Sequence, residues 1–155
     1  MAKVGVGKKL PDFSIASTAG KPWRPGDGAG RKLVIYFYPR DNTTGCTKEG
    51  QDLRDLSADF RKAGTEILGV SPDSLESHEK FRAKLKLPFD LLSDPDRKVC
   101  ALFDVIREKS MYGRKFMGVE RSSFLIDADG VLRQEWRKVK VAGHAQAVLD
   151  AARKL

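Results

Sequence analysis

Cysteine, histidine and long apolar runs are all scarce in this 155-residue chain, and each shortage argues against a class of protein. Two cysteines 54 positions apart, Cys46 and Cys100, make no disulfide framework of the kind that staples small extracellular domains. They form no Cys-x-x-Cys pair, which argues against a dithiol reductase. The two histidines, His78 and His144, stand in no metal-ligand spacing with either cysteine, so no metal is expected. His78 reads as a helix-surface residue and His144 as a helix-start residue. The longest apolar run has six residues, against the roughly 20 that a membrane-spanning helix needs. Residues 1–9 lack the apolar stretch of a secretory signal, so a cytosolic location is expected.

Two further motifs are incomplete. The glycine-rich stretch Pro25–Gly30 has no Gly-Lys-Ser/Thr ending and leads into a strand, so it reads as a connecting loop and not a phosphate cradle. Asp127-Ala128-Asp129-Gly130 has no downstream ligands of a calcium loop and reads as a hairpin turn.

Basic residues, in contrast, are abundant: 29 Lys and Arg against 21 Asp and Glu, a formal charge of +8. Trp136-Arg137-Lys138-Val139-Lys140 interleaves cationic and apolar residues. Yet the cations are spread along the whole chain and no nucleic-acid motif is present. A solvated basic surface is the expectation, one that draws anionic partners in a salt-dependent way. A non-enzymatic basic binding module is the competing class.

Hydrophobic residues make up 41% of the chain, enough for one domain with its own core. A leading segment over 1–31 carries a strand at Phe13–Ala16 and a turn at 19–22. The unbroken run Leu33–Tyr38 predicts a buried strand. A helix ending near Gly64 follows, with Leu53, Leu56, Phe60 and Ala63 on one face. A parallel strand at Thr65–Ser71 then completes a βαβ unit. A helix is predicted from Ser74 to Leu85, and a short strand at Leu91–Leu92. A further helix starts with Asp94 as N-cap and Pro95 in first position, with Val99, Leu102, Phe103 and Ile106 on its apolar face. Residues 107–118 read as a surface loop. Strands at Ser122–Ile126 and Val131–Trp136 form a hairpin, and a helix from His144 to Leu155 closes the chain. This order specifies an α/β fold with a mixed central sheet flanked by helices, in a single domain over 1–155.

Cys46 has the most informative setting. It follows the buried strand and a Pro/Gly-bearing loop, and it precedes Leu53 by seven residues, as Leu53 precedes Phe60. The thiol therefore belongs to the inward face of a helix's first turn. Free N–H groups and the helix dipole stabilise an anion there, and the thiolate is the nucleophilic form of cysteine. A cysteine hydrolase pairing Cys46 with a histidine is conceivable on chemical grounds, but the sequence selects no such pairing.

The order Pro39-x-x-x-Thr43-x-x-Cys46 resembles the active-site loop of the peroxiredoxins. The longer run Thr43-Thr44-Gly45-Cys46-Thr47-Lys48-Glu49 resembles the PrxQ, or bacterioferritin comigratory protein, branch. Ser93-Asp94-Pro95-Asp96, Tyr112-Gly113 and Glu120 through Asp127 extend the likeness over nearly the whole chain. One departure is Thr44, where most members have proline.

The resemblance implies a thioredoxin-like fold and a thiol-dependent peroxidase acting on hydrogen peroxide and organic hydroperoxides, without cofactor or metal. It implies Cys46 as the peroxidatic residue, with Thr43 and the Cys46 N–H positioning the peroxide. Pro39 shields the thiolate and Arg121 supplies a fixed positive charge. Glu49, three residues after Cys46, can orient Arg121; its simpler role is a first-turn carboxylate. The sulfenic acid formed must then be reduced.

Many PrxQ relatives carry a resolving cysteine five residues after the peroxidatic one, where this chain has Gln51. Others place it in the following helix, which here has none. Cys100 is the remaining candidate, but its place beside Val99 favours burial, and a disulfide needs Cα atoms within about 7 Å. A one-Cys cycle is therefore expected, with thioredoxin or another thiol as reductant and a monomeric enzyme.

Overall fold

A computed structural model describes residues 3–155 of the chain. Met1 and Ala2, the start of the expected leading segment, lie outside the described residues. The strands are β1 (Ala16–Ser17), β2 (Lys32–Phe37), β3 (Thr65–Ser71), β4 (Asp90–Ser93), β5 (Ile106–Met111), β6 (Arg114–Val119), β7 (Ser122–Ile126) and β8 (Leu132–Trp136). The helices are α1 (Thr44–Asp55), α2 (Ser57–Lys62), α3 (Leu75–Leu85), α4 (Lys98–Leu102) and α5 (His144–Arg153).

Six strands form one sheet in the order β1-β4-β3-β2-β7-β8, with β2, β3 and β4 parallel and the rest antiparallel to their neighbours. The period-two geometry of a strand divides the core in two. Val34, Tyr36 and Tyr38 point to the layer that holds Leu53 of α1, Phe60 of α2, Phe81 of α3 and Val148 of α5. Leu33, Ile35 and Phe37 point to the other layer, which holds Val99 and Phe103 around α4. A strand buried on both sides reads as a continuous apolar run, which is why β2 was legible. This is the mixed, helix-flanked thioredoxin-like sheet expected.

Several expectations are corrected. The helix carrying Cys46 is broken at Leu56 (φ −98°, ψ 2°) into α1 and α2, although Leu53 and Phe60 still share one core layer. The predicted strand at Phe13–Ala16 is displaced to Ala16–Ser17, with an isolated bridge between Ile15 and Trp23. The helix expected to begin at Asp94 begins at Lys98, because Arg97 lies in the left-handed region at φ 58° and interrupts any earlier turn. Asp94 nonetheless serves that helix: its carboxylate accepts the Val99 and Cys100 N–H groups at 3.2 and 2.8 Å. Ile106 belongs to β5 and not to α4.

The expected surface loop over 107–118 is instead a two-stranded antiparallel hairpin, β5–β6, separate from the main sheet. Tyr112 and Gly113 both adopt positive φ (53° and 76°), as a tight hairpin turn demands. The hairpin is exposed on both faces over most of its length, so its sequence carries no apolar alternation.

Candidate active site

β2 delivers the chain to Pro39, and the loop to Thr43 turns it into α1. Asn42 makes the turn in the left-handed region at φ 66°, a conformation asparagine tolerates better than most residues. Thr43 is extended and starts the helix, its carbonyl accepting the Thr47 N–H at 2.9 Å. Its hydroxyl does not cap the helix. It donates to the Arg40 carbonyl at 3.0 Å, which leaves the oxygen lone pairs free to accept. Cys46 stands in the first turn, where backbone N–H groups have no partner within the helix. Its thiol is almost buried, at 2% exposure, in the layer with Tyr36, Tyr38 and Leu53. Pro39 is half-buried.

Arg121, just before β7, reaches across to this thiol. Its Nη2 lies 3.3 Å from Cys46 Sγ, and its Nη1 donates to Glu49 Oε1 at 2.6 Å. The guanidinium fork thus joins the two groups along one edge, which a lysine ammonium could not do with fixed geometry. Gly45 allows this approach: a Cβ there would stand 3.0 Å from Arg121 Nη2. Burial pushes the Glu49 carboxyl up to about 7, against the opposing charge of Arg121. Its Oε2 and the Tyr36 hydroxyl are buried polar atoms without a hydrogen-bond partner.

A second polar cluster braces the loop from behind. The Asp41 carboxylate accepts from Tyr38 Oη (2.7 Å), Ser77 Oγ (2.7 Å) and His78 Nδ1 (2.8 Å). The Asp41 N–H donates to Asp73 at 2.8 Å, tying the loop to the end of β3. His78 Nε2 faces the Leu92 carbonyl at 2.9 Å. Both ring nitrogens thus face oxygen partners, so the ring is held at both ends inside the core. His78 is fully buried, which corrects the surface placement expected for it. Its spacing to Phe81 and Leu85 on α3, three and seven residues, put it on the apolar face and was the signal that could have found it. Ligand atoms of Asp41, Asp73 and His78 lie within 4.8 Å of one another, but each residue is engaged in these hydrogen bonds.

His144 does begin α5, as expected, but it is buried, with Nε2 2.8 Å from Ser123 Oγ. Burial, then the charge of Arg121, lowers it to about 4. Neither histidine hydrogen-bonds Cys46, so a cysteine–histidine hydrolase pairing is not formed. Cys100 is fully buried in the opposite core layer, across the sheet from Cys46. Burial, reinforced by the Asp94 carboxylate, pushes its thiol far up. Among the described residues, no helix is long and apolar enough to cross a membrane.

Known proteins similar to this chain are numerous. The model of the AhpC/TSA family matches residues 6–135. Peroxiredoxin Bcp of Xanthomonas campestris pv. campestris is 58% identical over 123 residues, 79% of this chain and 77% of the relative. Peroxiredoxin Bcp of Bacillus subtilis is 45% identical over 147 residues, 95% of this chain and 94% of its own length. A crystal structure of Xylella fastidiosa PrxQ superposes with a TM-score of 0.92 at 37% identity, covering 99% of this chain and 98% of that one. A structure of the Xanthomonas campestris bacterioferritin comigratory protein superposes with a TM-score of 0.87 at 50% identity, covering 92% and 90%. It was described for alkyl peroxide reduction from trapped intermediate and ligand complexes.

Proposed function

The chain belongs to the AhpC/TSA family and is a peroxiredoxin, and from that premise we propose that Cys46 reduces hydrogen peroxide and organic hydroperoxides and is recycled by an external thiol. The peroxidase activity accords with the relatives named above and replaces the alternative of a non-enzymatic binding module. The Cys46 thiolate attacks one peroxide oxygen. An S–O bond forms as the O–O bond breaks, sulfur loses two electrons, and the departing oxygen takes a proton to leave as water or an alcohol. Charge grows on that oxygen in the transition state, and donors already aimed at it lower the barrier.

The observation that carries this assignment is the fork of Arg121, with one nitrogen 3.3 Å from Cys46 Sγ and the other anchored on Glu49 at 2.6 Å. Arg121 and the Cys46 N–H stabilise the developing charge, and the Thr43 hydroxyl accepts from and orients the peroxide. Pro39 brings no N–H of its own and limits water at the thiolate. Glu49 positions Arg121.

The sulfenic acid is then attacked by a thiol, releasing water and forming a mixed disulfide that a second thiol resolves. Both thiols come from outside, with thioredoxin or another dithiol as donor, and the enzyme works as a monomer. Support for a one-Cys cycle lies in the placement of Cys100: it would have to leave the opposite core layer to meet Cys46. Intact mass after one equivalent of hydrogen peroxide, with a sulfenic-acid trap present, tests the scheme. A trapped adduct that needs Cys46 and survives Cys100→Ser is expected. A loss of two hydrogens requiring both cysteines would make Cys100 the resolving residue. No adduct at Cys46 would refute the assignment.

A further inference from the structure

The β5–β6 hairpin plays no part in the chemistry above, yet its two faces differ in a telling way. Cross-strand partners share a face. One face carries the pairs Glu108–Met117 and Ser110–Lys115. There the Lys115 ammonium is offset by Glu108 at 3.6 Å. The other face carries Arg107–Gly118, Lys109–Phe116 and Met111–Arg114, and contains no acid. Arg107 is paired with Asp104, but Lys109 and Arg114 have no acidic partner among the described residues. Gly118 leaves room for Lys109 and Phe116 to lean together, since a Cβ there would lie 3.1 Å from one and 3.3 Å from the other.

At the root of this acid-free face the Lys109 Nζ donates to the Val119 carbonyl at 2.5 Å, two residues before Arg121. Lys109 feels the charges of both Arg121 and Cys46, and burial followed by Arg121 lowers its proton affinity. Beyond it, Met111 is 59% and Phe116 43% exposed, and Tyr112 at the tip is 98% exposed. Aromatic, methionine and arginine side chains together are the composition of protein-binding surfaces. A small peroxide reaching a nearly buried sulfur needs no platform of this breadth. A second copy of the chain would set cations against cations.

On the reading that Cys46 becomes a sulfenic acid with no internal thiol in reach, we propose that the Lys109, Met111, Arg114 and Phe116 face of the hairpin docks the external reductant. That reductant is a thiol protein whose own surface is acidic around an apolar patch. Opposite charges speed the encounter, and Met111 and Phe116 supply the apolar contact that holds it while the thiol attacks.

The test compares native chain, Arg114→Glu and Phe116→Ser in two turnover assays. One uses thioredoxin, kept reduced by its reductase and NADPH, as an acidic dithiol protein; the other uses dithiothreitol. Because these side chains lie outside both core layers, the fold should survive either change. Arg114→Glu should lower kcat/KM for thioredoxin about tenfold and flatten its salt dependence. Turnover with dithiothreitol and the rate of Cys46 oxidation should stay native. Glu108→Gln, on the other face, should leave thioredoxin turnover within about twofold of native or faster. Unchanged kcat/KM for thioredoxin in both variants would overturn the proposal. Loss confined to bulky organic hydroperoxides, with either reductant, would also overturn it and assign the face to substrate. Failure of the native chain to turn over with dithiothreitol would instead refute the peroxidase scheme beneath it.

Discussion

Replacing His78 by phenylalanine probes the brace behind the active-site loop. The substitution keeps an aromatic ring of similar size on α3 but removes the buried ring that joins the Asp41 carboxylate to the Leu92 carbonyl. Asp41 would retain Tyr38 and Ser77 as donors, while the Leu92 carbonyl would lose the donor it has in His78. Leaving the buried Asp41 carboxylate and the Leu92 carbonyl without this partner costs about 3–5 kcal/mol, because both groups stay buried. For a chain of this length each kcal/mol is worth about 2–4 °C, so the melting temperature should fall by about 6–20 °C.

Urea unfolding at neutral pH measures the loss directly. A cycle with Asp41→Asn should show a coupling of about 1–3 kcal/mol. The pH dependence has a definite sign. Burial alone would raise Asp41, but the hydrogen bond and charge of His78, then the Tyr38 and Ser77 hydroxyls, outweigh it and lower the carboxyl below 3.8. A carboxylate depressed in the folded state contributes stability that is present above its unfolded value and is lost as pH falls through the folded one. His78→Phe should therefore lose part of its penalty in acid. The loop held by the pair also carries Pro39 and Thr43, so oxidation of Cys46 should slow along with the loss of stability. A His78→Phe chain within about 1 kcal/mol of native, or with no coupling to Asp41, would refute the account of the two as one buried brace.

Other outcomes follow from the fork. Arg121→Met should lower the second-order rate of Cys46 oxidation, followed by stopped flow, by about 10²–10³-fold, the scale for losing one preorganised donor. Arg121→Lys should recover only part of it, since a single ammonium cannot meet Cys46 and Glu49 together. Gly45→Ala should slow the same step about tenfold by pushing the guanidinium away, with little change in unfolding free energy. Glu49 is raised from 4.5 to about 7 by burial, so its contribution to stability is full below 4.5 and is lost as pH rises through 7. Glu49→Gln should remove that downward slope from a plot of unfolding free energy against pH.

Much of the molecule was legible in the chain itself. The run Leu33–Tyr38, the helical stretch Ser74–Leu85 and the Asp127–Gly130 turn located β2, α3 and the β7–β8 hairpin, because each is governed by local burial periodicity or turn chemistry. The Cys46 loop was equally plain: residue order places a thiol in a helix's first turn whatever the rest of the chain does. What escaped were features without a local cause. The β5–β6 hairpin has no apolar alternation to betray it, since most of its residues on both faces meet water. Arg97 stops α4 from starting early through one backbone angle that the Asp94-Pro95 signal does not encode.

Tertiary structure alone brought Arg121 to Cys46 across 75 residues and His78 to Asp41 across 37. It alone put Cys46 and Cys100 on opposite sides of a sheet. Local pattern specifies which way a side chain faces along its own element. Which distant charge, thiol or carbonyl it meets is settled only when β2, β3 and β7 align side by side and the helices close over them.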